Sequence, residues 1–485
     1  MARIFVDCTN IHFNSQPTGI PRVVSRYVLH GIKWARKRGH QIYPVINRNN
    51  EFQIIRLWPF SSNPSTHPED CPPANKRELR FLKLSTVMRA VNSRVRTWLY
   101  HSLLAVGLLL PVRGRYTIRK VDVLMRWFDL MLDIIPNHLE KRASSLLRIL
   151  PCEGDILFSP GWWHDFNPDD YRQLRNKGVS IYLLVHDILP MFFPHYYNYP
   201  WREQFAKNIA ASFDYANGFF CVSSYTAQCL RQYADSLDVP APLIEVAYNG
   251  RDNISFSKGE IAEAAISSPR LQRLVTIVGE FLLMVGSIEP KKRHSYVIDQ
   301  LTELWARGFE LPLLIVGRPG WLCDSLIKKI LLHPLRDKKL FWFDDLDDSD
   351  LAVAYQKARF LIFASEIEGF GLPLIEAMYN RCPVIAFDMP VTREIIGRYA
   401  VYYDQKRTQL ADCLRQYTSE PGYRCLKESL AEYHWPTWEI CVDRLFDRLV
   451  ELSRNPATIN LLQKETMAQF KAVDVGDEVE PQAKA

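Results

Sequence analysis

Two carboxylates separated by seven residues, Glu368 and Glu376, bracket a glycine-bearing stretch, Glu368-Gly-Phe-Gly-Leu-Pro-Leu-Ile-Glu376. Gly369 and Gly371 lack a Cβ, so a ligand can approach the backbone closely there. Pro373 favours the first helical position and predicts a helix beginning at that point. The free N–H groups and positive dipole end of a new helix form a seat for a diphosphate. Neither glutamate can favour a phosphate by charge. Both can accept hydrogen bonds from sugar hydroxyls, and ionised acceptors make the stronger bonds. The stretch therefore asks for a ligand with phosphates and hydroxyl-rich rings, and a nucleoside diphosphate sugar fits. The plainer reading, a strand-loop-helix turn with one glutamate on the helix dipole, leaves the second carboxylate and second glycine without a purpose.

The elements around this stretch must put it at a strand end. An apolar run, Phe360–Phe363, stops just before it. In open α/β sheets, ligands bind outside the carboxyl ends of parallel strands. Further strand candidates are Arg3–Asp7, Gln41–Ile46, Asp155–Ser159, Ser180–Val185, Gly218–Val222 and Ile244–Ala247 in the first half. The second half offers Phe281–Val285, Pro312–Val316, Leu340–Phe343, Val384–Ala386 and Ala400–Tyr403. Several are apolar without alternation, as buried parallel strands are. Helical patterns such as Arg22–Arg38 separate them, and the alternation predicts doubly wound α/β domains. The expected organisation is a first Rossmann-like domain of residues 1–58 and 151–252, a polar linker over 253–270, and a second Rossmann-like domain over 271–434. A helix over 435–454 opens at Trp435-Pro-Thr-Trp438, and a polar tail occupies 455–485.

Residues 59–150 break the alternation and read as a basic helical insertion. Within it, residues 76–126 hold twelve Lys/Arg against two acids, Glu78 and Asp122, whereas the remainder holds 48 basic residues against 52 acidic ones. The charge of +6 is thus concentrated in one segment, which expects an anionic partner. The apolar run Trp98–Val112 is too short to cross a bilayer as a helix, which takes about 20 residues. Flanked by Arg94, Arg96, Arg113 and Arg115, it could lie on an anionic membrane surface, or form a hairpin packed on the protein. The 485 residues, 47% apolar and 24% charged, exclude a mainly disordered chain. The ten cysteines are scattered without a Cys-x-x-Cys pair. That disfavours a zinc site or disulfide framework and fits a reducing cytoplasm. Met1-Ala-Arg-Ile-Phe-Val-Asp7 runs straight into a strand pattern with no secretory apolar region before it. Nucleic acid is not an expected partner.

The segment around Glu368 and Glu376 resembles the E-x7-E motif of the large retaining glycosyltransferase family 4, which has the GT-B fold of two Rossmann-like domains facing a cleft. The similarity continues through Pro383-Val-Ile-Ala386 and Glu394-Ile-Ile-Gly397. Thr18-Gly-Ile-Pro-Arg-Val23 resembles the family's N-terminal glycine loop, and Val185-His-Asp-Ile-Leu-Pro190 its His-Asp segment. Tyr248-Asn-Gly250 resembles the turn that ends the first domain. Val285-Gly-Ser-Ile-Glu-Pro-Lys-Lys-Arg-His294 resembles the Gly-Thr-Ile-Glu-Pro-Arg-Lys-Asn run. These pieces come in the family's order and span most of residues 1–440 outside the insertion. The Ile-Glu-Pro-Lys-Lys run is most similar to mannosyltransferases, which makes GDP-mannose the favoured co-substrate. Departures from the family pattern are Ser287, Arg293, Asn380-Arg381 and Val391-Thr-Arg-Glu394. None removes an expected ligand.

The resemblance assigns roles. Lys292 matches the basic side chain that neutralises the departing diphosphate, with Lys291 as the alternative and Ser287 in the same donor-binding run. Glu368 is expected on donor-sugar hydroxyls, helped by the amides of Gly369, Phe370, Gly371 and Leu372. Glu376 is expected on the ribose. Gly19 would let the first domain's backbone approach donor phosphate or acceptor. His186 would contact the donor sugar near the anomeric carbon, and Asp187 would orient His186 or bind an acceptor hydroxyl. Retention by internal return requires no enzyme nucleophile. Phe343-Asp-Asp-Leu-Asp-Asp348 has suitable metal ligands, but it matches the family's loop that frames the base pocket and caps a helix. No metal cofactor is expected. The implied activity is hexosyl transfer from a nucleotide sugar to a glycan or lipid-linked glycan, such as lipopolysaccharide O-antigen or capsule, in the cytoplasm at the inner face of the plasma membrane. The competing expectations are a degenerate, non-catalytic glycan-binding subunit, and a phosphorylase or epimerase on the same fold.

Overall fold

The computed structural model describes residues 1–9, 19–48, 51–54, 150–161, 167–239, 243–252, 266–418 and 420–455. The basic insertion with its expected membrane contact, Thr18, the 253–265 stretch of the linker and the tail from 456 lie outside the described residues.

Two sheets organise the chain. The first has seven strands in the order β3-β2-β1-β4-β5-β6-β7. They are β1 (Arg3–Asp7), β2 (Gln41–Arg48), β3 (Glu51–Ile54), β4 (Ile156–Ser159), β5 (Ser180–Val185), β6 (Gly218–Cys221) and β7 (Leu243–Val246). β1 pairs in parallel with β2 and β4, and β4 with β5. Only the edge pair, β2 with β3, is antiparallel among the described pairings. The helices of this half are α1 (Ile20–Arg38), α2 (Pro168–Asn176), α3 (Leu189–Phe192), α4 (Tyr199–Tyr215) and α5 (Ser224–Ser236). Apolar strand residues such as Ile4, Phe5, Val6, Leu157 and Phe158 are fully buried. Burial of each such side chain contributes about 1.5–3 kcal/mol. Helix α1 begins after Gly19 with Pro21 in its first turn, and it ends at a left-handed Gly39 whose N–H donates to the Ala35 carbonyl.

The second sheet has six strands in the order β10-β9-β8-β11-β12-β13. They are β8 (Phe281–Val285), β9 (Leu313–Val316), β10 (Leu340–Phe343), β11 (Ala358–Phe363), β12 (Val384–Phe387) and β13 (Ala400–Tyr403). Every pairing in it is parallel. Its helices are α6 (Pro269–Val278), α7 (His294–Ala306), α8 (Asp324–Leu331), α9 (Asp348–Lys357), α10 (Leu372–Tyr379), α11 (Pro390–Ile396), α12 (Leu410–Tyr417), α13 (Gly422–Ser429) and α14 (Trp438–Arg454). The strand order is that of a doubly wound dinucleotide-binding sheet. Parallel strands buried on both faces explain the continuous apolar runs in the sequence.

Contacts divide the chain into two compact units, one of Met1–Leu184, Asp214–Gly218 and Val442–Ala485, the other of Val185–Phe213 and Phe219–Cys441. In the first, the later part of α14 packs beside α1: the Trp34 indole N–H donates to Asp447 at 2.9 Å, and Arg38 pairs with Asp443 and Asp447. The polar stretch expected as linker up to residue 270 is already helical from Pro269. Ser268 caps that helix, accepting from the Leu271 N–H, and proline fits its first turn. The sequence also leaves strand β3 unread.

Candidate active site

The second sheet changes direction between β8 and β11. The chain leaves β8 toward β9 on one side, and β11 leads toward β12 on the other. Loops leaving the carboxyl ends of two such strands diverge and open a crevice for a ligand. Gly286–Arg293 follows β8, and Ala364–Gly371 follows β11. These are the loops that carry the expected lysines and the expected Glu368.

Lys292 stands on a short 3-10 turn, Pro290–Lys292, and its ammonium is hydrogen-bonded and ion-paired to Glu368 Oε1. Lys291 is buried, with its Nζ 3.9 Å from Glu289 Oε2. Its backbone carbonyl accepts from the Glu366 N–H at 2.9 Å, which ties the two loops together. Burial pushes the Glu368 carboxyl upward, but the Lys292 and Lys291 ammonium groups and hydrogen bonds from Lys292 and Ser365 outweigh it. Glu368 is therefore held below the usual carboxylate range. Burial works against the Lys291 charge, and Glu368, Asp187 and Glu289 reverse that effect and raise it. The result is a desolvated, charged cluster at the sheet's switch point.

Ser287 is in the expected run but turns inward, donating its hydroxyl to Glu289 Oε1. Glu289 is buried and its carboxyl is pushed up by that burial, against the pull of Lys291, Ser287 and Lys292. It braces the loop, and the sequence reading gave it no role. Arg293 has a left-handed backbone, φ +57°, a conformation in which asparagine is enriched among non-glycine residues. Its guanidinium lies 4.6 Å from the Tyr296 ring centroid and 5.0 Å from that of Phe387. Such stacking helps to offset the backbone cost.

The loop after β11 is as expected. Gly371 caps α10 with φ +97°, a left-handed position that suits glycine, and Pro373 sits in the helix's first turn. The helix starts at Leu372, one residue before the expected proline. A Cβ on Gly369 would stand 1.9 Å from the His186 carbonyl oxygen, so only glycine fits there. That close approach brings His186 and Asp187, both half-buried just beyond β5, against the Glu368 loop. Asp187 Oδ1 accepts from the Leu189 N–H at 3.2 Å. The Gly369 carbonyl in turn accepts from Ser223 Oγ at 2.6 Å and Thr226 Oγ1 at 3.1 Å. Neither hydroxyl was anticipated from sequence. Phe370 is buried, with its ring centroid 5.9 Å from that of Trp435. Glu376, on α10, accepts from the Tyr355 hydroxyl at 2.8 Å.

His186, Asp187, Ser287, Lys291, Lys292, Glu368 and the loop to Glu376 thus belong to one unit, and Gly19 to the other. Gly19 precedes α1 and accepts from the Arg22 and Val23 N–H groups. The acidic run before α9 is engaged locally. Asp347 caps that helix by accepting from the Asp350 N–H at 2.8 Å, and Asp350 accepts from Ser267 N and Oγ.

Residues 278–433 match the family model described as glycosyl transferases group 1. Over 316 residues the chain is 30% identical to the serotype-specific mannosyltransferase WbdA of Escherichia coli, covering 62% of this chain and 38% of WbdA. The chain therefore spans well under half the length of that relative. It is 28% identical over 242 residues to the O-antigen chain mannosyltransferase RfbU of Salmonella typhimurium, covering 49% of this chain and 60% of RfbU. Among solved structures, the N-terminal domain of Candida albicans trehalose-6-phosphate phosphatase aligns with a TM-score of 0.53 at 12% identity, covering 93% of this chain and 97% of that one. Anabaena HepE in complex with UDP and glucose aligns with a TM-score of 0.51 at 12% identity, covering 93% and 99%. At such identities the structural likeness speaks to the fold. Residues 278–433 are thus similar to the glycosyl transferases group 1 family, and the chain has a two-domain α/β GT-B fold.

Proposed function

We propose that this chain is a retaining glycosyltransferase that moves mannose from GDP-mannose to a growing lipid-linked or surface polysaccharide, such as lipopolysaccharide O-antigen or capsule. The carrying observation is the cluster of buried Lys291 and Glu368 with half-buried Lys292 at the switch point of the second sheet. The named mannosyltransferase relatives support the sugar and the O-antigen setting. In this reading the Lys292–Glu368 pair parts as donor enters. Lys292 turns to the diphosphate, beside the N–H groups opening α10, and Glu368 to the hydroxyls of the transferred sugar. A charged pair held out of water stabilises developing charge more strongly than the same pair in solvent. The C1–O bond to phosphate breaks with its electrons passing to the phosphate oxygen. The acceptor oxygen bonds to C1 from the same face, and its proton passes to that phosphate oxygen. No enzyme nucleophile takes part, and configuration is retained. The two lysines and the helix end supply the positive charge, so the proposed reaction requires no metal. The enzyme would work in the cytoplasm, against the inner face of the plasma membrane.

Release of the nucleotide, a nucleoside diphosphate from GDP-, UDP- and dTDP-sugars or CMP from CMP-sugars, tests this. GDP-mannose should be preferred. Lys292→Ala and Glu368→Ala should each lower the rate by about a hundredfold or more, the scale on which a transition-state charge partner acts. Full activity in both variants would sink the assignment.

A further inference from the structure

Tryptophan and the other large aromatics normally bury most of their surface, and their exposure in a cluster marks a binding surface. Four large aromatic side chains are conspicuously exposed among the described residues: Phe192, Tyr199, Trp201 and Trp321. Three lie within ten residues on the strap from α3 into α4, and the fourth meets that strap from the loop after β9. The Trp321 indole N–H donates to the Tyr196 carbonyl at 2.9 Å. The Tyr197 ring stands between the two tryptophans, with centroids 5.7 Å from Trp201 and 5.9 Å from Trp321 and interplanar angles of 22° and 32°. The three rings make a gently turning wall.

That wall is fixed at its edges. The Tyr196 hydroxyl donates to Glu366 Oε2 at 2.7 Å, next to the Glu368 loop. The loop bearing Trp321 is pinned to the lysine loop: Ile288 N–H donates to the Arg318 carbonyl at 2.8 Å, and Gly320 N–H to the Ile288 carbonyl at 3.1 Å. The Lys291 ammonium lies 5.7 Å from the Trp321 ring centroid. The wall is thus continuous with the charged cluster. Beside it, the Tyr197 hydroxyl is buried without a hydrogen-bond partner and feels the charges of Asp187, Glu368 and Glu289. A buried hydroxyl without a partner is costly and expects one to arrive. Exposed ring faces pack against the C–H faces of sugars, and a buried phenol meets a sugar hydroxyl. A site of ring faces with a few placed polar groups is the usual form of a ligand subsite.

We propose that Tyr197, Trp201 and Trp321 form the subsite for the glycan acceptor, with the two indoles stacking on sugar rings and the Tyr197 hydroxyl bonding to a sugar hydroxyl. This rests on the glycosyltransferase reading above. Calorimetry on the full chain saturated with GDP tests it, with trisaccharides of mannose, glucose, galactose and N-acetylglucosamine as probes. At least one trisaccharide should bind. Trp321→Leu and Trp201→Leu should each weaken it about tenfold, and Tyr197→Phe about fivefold, while GDP affinity stays within twofold. Trp321→Phe, which keeps an aromatic face, should stay within threefold of wild type, and matched melting temperatures would set aside misfolding. Unaltered trisaccharide binding in all variants, or no trisaccharide bound by wild type, overturns the proposal. So does loss of GDP alone in Trp321→Leu, which would make the wall a nucleobase platform. Failure of the glycosyltransferase reading looks different: GDP affinity would then be indifferent to Lys292→Ala.

Discussion

His294 follows Lys291, Lys292 and Arg293 and is buried at the start of α7. Burial and the neighbouring Lys292 ammonium pull its imidazole down to about 3, against a backbone hydrogen bond with Glu289. The folded protein therefore keeps this histidine neutral where the unfolded chain binds a proton. Between the unfolded value, about 6.5, and 3, stability falls as pH falls, by about 1.4 kcal/mol per unit. From pH 7 to pH 5 the loss from this one group is about 2 kcal/mol. Urea denaturation of wild type and His294→Gln at both pH values checks it. The variant should lose about 2 kcal/mol less than wild type over that interval, and equal losses would show that His294 does not drive the slope. Glu368, by contrast, has its folded value lowered, so it stays ionised through this range. Activity lost near pH 5 would then trace to the scaffold under Lys292 before the carboxylate.

Among the elements, α9 shows how local chemistry uses an acidic run whose purpose composition leaves open. The run Asp344-Asp-Leu-Asp-Asp348 has the residue types of a metal site, yet Asp347 is spent as a cap, accepting from Asp350 N–H, Ser349 Oγ and Ser267 Oγ. Asp347→Ala should cost about 1 kcal/mol in urea denaturation, the usual worth of such a cap, and leave GDP affinity unchanged. A tenfold fall in GDP affinity with stability intact would make Asp347 a ligand instead. The strands were legible because apolar runs buried on both faces need no periodicity to stand out: Phe281–Val285 and Ser180–Val185 are read to the residue. Strand β3 was not. Its four residues, Glu-Phe-Gln-Ile, alternate with Phe52 and Ile54 buried, but so short an alternation after Asn49-Asn50 carries little signal without its partner β2 in view. Helix α14 was readable from Trp435-Pro-Thr-Trp438. That its later turns would meet Trp34 and Arg38 was not, because those polar contacts join residues about four hundred positions apart.

At the scale of the whole molecule, the same limit divides the candidate site. The Glu368 loop, Lys292 and His186 each announce themselves at the end of a strand, where chemistry is expected. Trp321 and Tyr197 do not, because their meaning lies in exposure and in a contact between loops 125 positions apart at Tyr196. Ser287 shows the converse: a donor-binding position by resemblance, it is turned onto Glu289 by a local hydrogen bond that no spacing reveals. Charge placement is a molecular property that sequence does carry. Outside residues 76–126 the chain holds 48 basic residues against 52 acidic ones, so any attraction to an anionic surface should reside in that segment. No helix among the described residues is long and apolar enough to cross a membrane. Each basic side chain near an anionic bilayer contributes about 1 kcal/mol, and salt screens it within about 10 Å at 0.1 M. In flotation with vesicles containing phosphatidylglycerol, the full chain should rise with the vesicles at low salt and less so at 0.5 M, a concentration taken as roughly five times the reference above. A chain lacking residues 59–150 should stay at the bottom while still releasing nucleoside diphosphate from the donor. Undiminished flotation of that shortened chain would place the membrane contact elsewhere, and flotation insensitive to salt would make it apolar in origin, not electrostatic.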